Sequence, residues 1–263
     1  MTGNREQGTE ERERGRGGEG EKNPNDPKTQ RANDSTAEFD EYAGDYDAAL
    51  NQGLAASGES KEYFAQGRVD WLSGILKQQQ FTPRRIMDFG CGTGASTPFL
   101  LDTLQSESLV GVDVSRGLLK VAAKDFGSAR ARFALIAEYD GESEIDLAFC
   151  NGVFHHIPPK DRAESVDFIK KALRPGGLFA FWENNPWNPG TRYVMSKIPF
   201  DKDAITLTPP EARQLLASAG LEIVRTDFLF IFPGSLKVLR GIEPPLSRLP
   251  LGAQYQVLCR KPE

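Results

Sequence analysis

Cysteine and histidine are scarce in this chain, and their scarcity removes several kinds of chemistry at once. Of 263 residues only three are cysteine and two are histidine. Cys91, Cys150 and Cys259 are far apart and no C-x-x-C pair exists, so a structural zinc site is not expected, and no metal is assigned. Each cysteine sits in or beside an apolar run, which reads as a buried thiol of a reducing compartment. No apolar stretch approaches the roughly 18 residues that span a bilayer, and the polar N-terminus has no signal-peptide hydrophobic region. The expectation is a cytoplasmic protein with no membrane partner. Basic excess is missing too: the formal charge is -5, and no Lys/Arg cluster marks a nucleic-acid surface.

Apolar residues make up 39% of the chain, and the deficit lies mainly at its front. Residues 1–35 hold almost nothing that could enter a core, and EERERGRGG mixes both signs of charge. Such a segment cannot offset its ordering entropy by burial and reads as a disordered tail, with an RGG-like nucleic-acid arm as the functional alternative. Phe39, Tyr42 and Tyr46 have helical spacing. A second helix is expected from Ser60, with Tyr63, Phe64, Val69, Trp71, Leu72, Ile75 and Leu76 on its apolar side, until Pro83 closes the region. Residues 36–83 are thus a helical cap. Its aromatics either pack on a sheet or, in the case of Tyr42, Tyr46 and Tyr63, cover a ligand whose anionic end Arg68 reaches.

From residue 84 strand and helix signals alternate, as in a parallel sheet covered on both faces. Strands are expected at 84–89, 108–113, 131–136, 145–150, 177–183, 221–232 and 253–260. Helices are expected at 95–105, 115–126, 161–174 and 209–219, the third stopping at RPGG. The proline-rich stretch at 184–208 reads as an inserted lid over the crevice within an α/β domain of residues 84–263.

The organising stretch is RRIMDFGCGTGAS, Arg84–Ser96. A buried strand ends at Asp88 and Phe89, and three glycines at alternate positions turn the chain sharply and let a ligand lie on the backbone. A second acid, Asp113, ends the next apolar run in LVGVDVS. A dinucleotide site would need G-x-G-x-x-G facing pyrophosphate, but Gly90-Cys91-Gly92-Thr93-Gly94 is one residue shorter, and Asp88 would repel a phosphate. No G-K-[ST] is present for a phosphate loop. An acid here suits a cationic nucleoside carrying an amino acid.

The DFGCGTG loop, the acid in GVDVS, the run ending at Asn151 with VFHHI after it, and ALRPGGLFAF together resemble the class I S-adenosylmethionine-dependent methyltransferase family. The resemblance is strong over 84–183 and mainly one of layout elsewhere. It implies a seven-stranded, mostly parallel Rossmann-like sheet with helices on both faces and the last strand antiparallel. It also implies S-adenosyl-L-methionine as cofactor, with S-adenosyl-L-homocysteine as product. Gly90, Cys91 and Gly92 would then approach the amino-acid part of the cofactor, and Asp88 would support its ammonium. Asp113, followed by Val114, would take both ribose hydroxyls. Asn151 would contact the ligand from the fourth strand, and Ala137 and Glu138 stand where the adenine amino group is met. For Asp88 and Asp113 the alternative is a turn-capping carboxylate, and for Glu138 a solvated loop charge.

Methyl transfer from a sulfonium is a direct displacement that needs alignment and exclusion of water. A hydroxyl acceptor gains from a base, and His155 and His156, the only imidazoles, follow the fourth strand. In a helical run adjacent side chains diverge by about 100°, so both would not face one acceptor. Glu183, Asn185, Trp187, Arg192 and Tyr193 form a polar cluster at the same rim. They read either as an acceptor wall or as a self-stabilised lid. The expected acceptor is a small molecule, its O, N or C atom undetermined. A protein, peptide or RNA methyltransferase and a non-catalytic nucleoside-binding module are the rivals. The apolar residues within 228–251 offer a surface for a homodimer. Removing residues 1–30 should leave both fold and turnover unchanged, as circular dichroism and initial rates would show; a large loss in either would overturn the tail reading.

Overall fold

A computed structural model describes residues 46–202 and 204–263, together with Met1. The disordered-tail reading of residues 1–35, the helix start at Phe39 and the placement of Tyr42 fall outside the described residues; of Tyr46 only the backbone is described. Elements in chain order are α1 (Tyr46–Leu54), α2 (Lys61–Gln78), β1 (Arg85–Phe89), α3 (Thr97–Thr103), β2 (Ser108–Asp113), α4 (Arg116–Phe126), β3 (Ala131–Leu135) and β4 (Ile145–Asn151). They continue with α5 (Arg162–Ala172), β5 (Leu173–Asn184), α6 (Pro189–Met195), α7 (Pro209–Ser218), β6 (Glu222–Leu229), α8 (Glu243–Leu246) and β7 (Gln254–Arg260). Among the described residues no helix is long and apolar enough to cross a membrane.

Seven strands form one sheet in the order β3-β2-β1-β4-β5-β7-β6. Pairings from β3 through to β5 are parallel, and β7 runs antiparallel to both its neighbours. This is the expected fold class. Strand order reverses direction beside β1, between β2 and β4, so the carboxyl ends of β1, β2 and β4 open onto one crevice, where open α/β sheets bind ligands. One boundary differs from expectation. Helix α5 stops at Ala172, and the R-P-G-G stretch lies inside β5, where the β4–β5 register shifts and Gly176 takes a φ of +71°. The prolyl-glycyl run makes an irregularity in a strand already begun, rather than a turn before it.

Side chains of the central strands alternate between two cores. Phe179 and Phe181 of β5 join Met87, Phe89, Val110, Val112, Val257 and Cys259 on one face, where α5 and α7 add Val166, Ile169, Ala212 and Leu216. Leu178, Ala180 and Trp182 enter the other with Ile86, Leu109, Leu147 and Phe149, under α2 and α3. Period-two alternation with both faces apolar is what makes these strands read as continuous hydrophobic runs. Phe149, Phe179, Phe181 and Trp182 are wholly buried, each contributing about 1.5–3 kcal/mol. All three cysteines are buried and unpaired.

Caps written in the sequence set several helix starts. Ser60 accepts a bond from the Tyr63 amide at the head of α2, Ser115 from Leu118 at α4, and Asn188 from Thr191 at α6. Thr208 and Glu211 form a reciprocal capping box ahead of α7. Helix α2 carries Tyr63 and Arg68, so its seat on the sheet positions part of the site. Phe64, Val69, Leu72, Ile75 and Leu76 bury one face of it. Trp71 donates its indole N–H to Asp227 at 3.3 Å, and Asp227, fully buried in β6, also takes two bonds from Arg225 at 2.6 and 2.8 Å. Asp227→Ala strands the guanidinium of Arg225 and the Trp71 N–H. It should lower stability by about 3 kcal/mol, read as a fall in the urea midpoint at constant slope.

Candidate functional site

The loop after β1 is built by backbone bonds that only left-handed residues allow. The amides of Gly90 and Cys91 both donate to the Val112 carbonyl, at 2.7 and 3.1 Å, and that of Gly94 donates to Cys91 at 2.9 Å. Gly90 has φ +69° and Gly92 +54°, angles costly for any side chain. A Cβ at Gly90 would collide with Val153, whereas one at Gly92 would meet nothing within 4 Å. The main chain at Gly92 therefore faces open space, as a backbone cradle for a ligand must.

Asp113 ties this loop to the end of β2. One carboxylate oxygen accepts the Gly92 amide at 2.9 Å and the other the Ser115 amide at 3.0 Å. The turn-capping role is therefore seen directly: Asp113 joins the glycine loop to the start of α4. Asp88 lies behind the loop, only 4% exposed. Burial pushes its carboxyl up to about 7, the charge of Asp113 adds to the rise, and Arg68 opposes it. Arg68, buried on α2, donates from Nη1 to Gln254 at 2.9 Å, while its Nε has no partner. Burial brings its guanidinium down to about 9 against the pull of Asp88. An unsatisfied buried N–H of this kind costs about 1–3 kcal/mol, so the crevice holds an acid short of a cation and a cation short of an acceptor. Their chemistry fits S-adenosylmethionine: Asp88 would meet its ammonium, Arg68 its carboxylate, Gly92 would allow close backbone approach and Asp113 would meet the ribose diol. Cys91 is buried beside them with its thiol pushed well up, foremost by burial and then by Asp88 and Asp113; its contribution is backbone shape.

Beside the crevice lies a cavity of about 370 Å³, lined by Tyr63, Arg68, Asn151, His155, His156, Tyr193, Phe200, Asp201 and Phe230 among others. The run after β4 is a series of turns, so the two imidazoles do not diverge as on a helix. Both line this cavity, their ring centroids 4.1 Å apart. Glu183 is buried at the end of β5. It accepts the Phe154 amide at 2.7 Å with one oxygen, and its other lies 2.6 Å from His155 Nδ1. On the far side Asp201 Oδ1 stands 3.5 Å from His155 Nε2 and 3.3 Å from His156 Nε2. Burial would lower the pKa of His155, but Glu183 and Asp201 outweigh it and raise it to about 10. His155 is therefore a cation clamped between acids, which corrects its expected use as a base. His156 is shifted below its ordinary value, by burial first, against the bond to Asp201 and with the charge on His155. Asp201, despite burial, is held down at about 2 by the two imidazoles.

Several expected acceptor residues do other work. Asn185 is wholly buried, donates to the Pro250 and Gly252 carbonyls at 3.2 and 2.8 Å, and is absent from the cavity lining, so it braces a loop. Trp187 and Arg192 are exposed and absent from the cavity lining; Trp187 instead borders a separate groove with Arg213 and Arg248. Glu138 is exposed and paired with Arg116 at 2.7 Å, matching the solvated-charge alternative. Ala137 and Val114 are also exposed, the latter directly after Asp113. Tyr63 does line the cavity, its ring under Arg240 at 4.6 Å and edge-on to Phe230 at 5.9 Å. Tyr193 lines it while half exposed. Sequence reasoning missed Asp201, Lys61, Gln254 and Arg240. Asp201 follows a proline and phenylalanine in an irregular stretch, and nothing local distinguishes it from Asp203.

A Rossmann-like sheet with a glycine loop and paired strand-end acids defines a nucleoside-dependent transferase scaffold. Residues 87–179 match a family model described as a methyltransferase domain. A trans-aconitate 2-methyltransferase from Methylobacterium nodulans is 24% identical over 224 residues, spanning 75% of this chain and 83% of that protein. A malonyl-[acyl-carrier protein] O-methyltransferase from Acetivibrio thermocellus is 30% identical over 132 residues, 48% of this chain and 46% of that one. With that relative, and with other trans-aconitate 2-methyltransferases, the match thus spans about half of the relative's length. In fold, an S-adenosylmethionine-dependent methyltransferase from Thermotoga maritima superposes with a TM-score of 0.59 at 17% identity, over 85% of this chain and 98% of that one. A methyltransferase domain at residues 87–179, methyltransferase relatives and the shared fold together support a class I S-adenosylmethionine-dependent methyltransferase.

The raised Asp88 carboxyl gives cofactor binding a pH signature. The cationic methionyl end prefers the ionised carboxylate, so below about pH 7 binding must expel a proton from Asp88. Affinity for S-adenosylmethionine by calorimetry should fall as pH drops beneath 7, by up to about tenfold per unit, and level off above it. Asp88→Asn should bind more weakly and lose the slope. A wild-type affinity flat from pH 5.5 to about 8 would remove Asp88 from the cofactor site.

Proposed function

We propose that this chain methylates a small molecule with a largely apolar body and a protic oxygen or nitrogen, held in the cavity beside the cofactor crevice. The size and walls of that cavity carry the reading. At about 370 Å³ it falls in the range of small-ligand sites. Helices α1 and α2 supply one side and the 184–208 segment another, through Asn184, Asn188, Thr191, Val194, Met195 and Ile198. A polymer would call for an open trench and, for RNA, a basic one. The walls on two sides of the cavity disfavour the first, and the acidic balance of the chain the second.

S-adenosylmethionine supplies a methyl group on sulfonium, displaced directly by an aligned nucleophile. The residues of the chain hold, orient and deprotonate. Phe64, Phe200, Phe230 and Phe232 surround the acceptor with apolar surface and keep water from competing. His156 presents an imidazole, neutral near pH 7, to the cavity, its Nε2 oriented by Asp201 at 3.3 Å. An imidazole so oriented is equipped to take the proton of the acceptor, while Glu183 and His155 fix Asp201 from behind. A second reading has a carboxylate acceptor, which needs no base. The names of the relatives, trans-aconitate and malonyl-acyl carrier protein, and the presence of Lys61 and Arg240 in the lining favour it.

A panel of small phenols, amines and carboxylic acids with radiolabelled S-adenosylmethionine would find the acceptor class. For a protic acceptor, His156→Ala should cut kcat by about 10²–10³-fold and leave cofactor affinity within about twofold. The wild-type rate should fall on the acid side, below the ordinary imidazole pKa, because protonation removes the base. A rate indifferent both to pH and to this substitution would exclude His156 as base and support the carboxylate reading.

A further inference from the structure

The cluster behind the acceptor cavity has the dimensions of a coordination site. We propose that His155, His156 and Asp201 bind a divalent first-row transition cation of the zinc type. One ligand atom from each of the three residues comes within 4.8 Å of the others. The two spacings to Asp201, 3.5 and 3.3 Å, are long for charge-assisted hydrogen bonds, which run at about 2.7–2.9 Å. They match the edge of a coordination tetrahedron: with metal–ligand bonds of about 2.0–2.1 Å, neighbouring ligands stand about 3.3 Å apart.

The surroundings support the same assignment. Glu183 engages Nδ1 of His155 at 2.6 Å and so leaves Nε2 as the nitrogen turned toward Asp201. A carboxylate on the outer nitrogen is the usual partner of a metal-bound histidine, fixing its tautomer and raising its basicity. Two carboxylates, 1% and 8% exposed, stand against two imidazoles here, and a dication balances both acids. Two imidazoles and one carboxylate suit zinc, iron(II), cobalt or nickel better than magnesium or calcium. All three residues line the cavity, so the remaining coordination positions open toward the acceptor. That is the pattern of a catalytic site, three protein ligands with a vacancy, and differs from a closed structural one. Lack of a C-x-x-C pair hid it in the sequence: two adjacent histidines on a turn supply two ligands, and the third arrives from the segment between α6 and α7. Binding of the ion stands on this geometry alone. Its use, to hold and polarise an acceptor oxygen, rests on the proposed function and takes the place of His156 as base, because a coordinated imidazole has no lone pair left for the acceptor proton.

The chain makes the test unusually clean, since its only two histidines are in this site and its cysteines are buried in the core. Untagged full-length protein, stripped with chelator and dialysed, would be titrated with Zn²⁺ by calorimetry and with Co²⁺ by visible absorption. One equivalent of Zn²⁺ should bind with a dissociation constant of about 1 μM or tighter, and Co²⁺ should show the intense bands of a four- or five-coordinate site. Asp201→Asn and His156→Ala should each weaken binding by about 100-fold, and Glu183→Gln by about 10-fold. S-adenosylmethionine affinity measured on the same preparations reports folding and the cofactor site separately. Absence of stoichiometric Zn²⁺ binding in wild type that binds the cofactor normally would overturn the metal site and leave the methyltransferase reading intact. Binding unchanged by Asp201→Asn and His156→Ala would overturn it equally.

Discussion

The structure turns on one carboxylate that reaches across two strand ends. Asp113 takes the amide of Gly92 from the β1 loop and the amide of Ser115 from the start of α4. Those bonds hold a backbone turn of left-handed glycines in place with no side chain to brace it. They also stop β2 beside β1 in the register that aligns Asp88 with Gly111 and Phe89 with Val112. Asp113 itself ends β2 at the crevice. The same group that shapes the cradle is thus placed to read the ligand lying in it.

Around that point the molecule accumulates unfavourable electrostatics that a ligand relieves. Asp88 is buried next to a second acid, and Arg68 is buried with one N–H unmatched. Burying polar groups so incompletely costs stability, and their persistence in a cleft marks a place built for something absent from the chain itself. The cavity next door shows a second concentration of charge, where Glu183, His155, Asp201 and His156 follow one another in contact. The first set suits a cationic nucleoside with a carboxylate. The second suits a proton or a cation at the acceptor. A methyltransferase needs both neighbourhoods side by side, one to hold the donor and one to prepare the nucleophile.

Local patterns made much of the fold legible. Continuous apolar runs at β1, β2, β4 and β5 announced strands buried on both faces, and Ser60 and Ser115 announced helix starts. The R-P-G-G run misled at one boundary because its local turn chemistry yields to pairing between β5 and its neighbours. The site was legible where its residues sit at strand ends, as Asp88, Gly90, Gly92 and Asp113 do. It was illegible where residues meet through folding alone. Asn185, Trp187 and Arg192 look alike as polar lid residues, yet one is a buried brace and two face outward. Asp201 carried no signal at all.

The amino-acid order by itself determined the sheet, the glycine turn and the acids beside it, because each depends on spacings of a few residues and on the backbone angles those residues permit. Only the tertiary structure decided the acceptor side. There the partners of His155 come from β5 and from a segment beyond α6, so their protonation and their aim are set by distances between groups remote in the chain. Electrostatic coupling of that kind depends on separation in space, which local spacing does not encode.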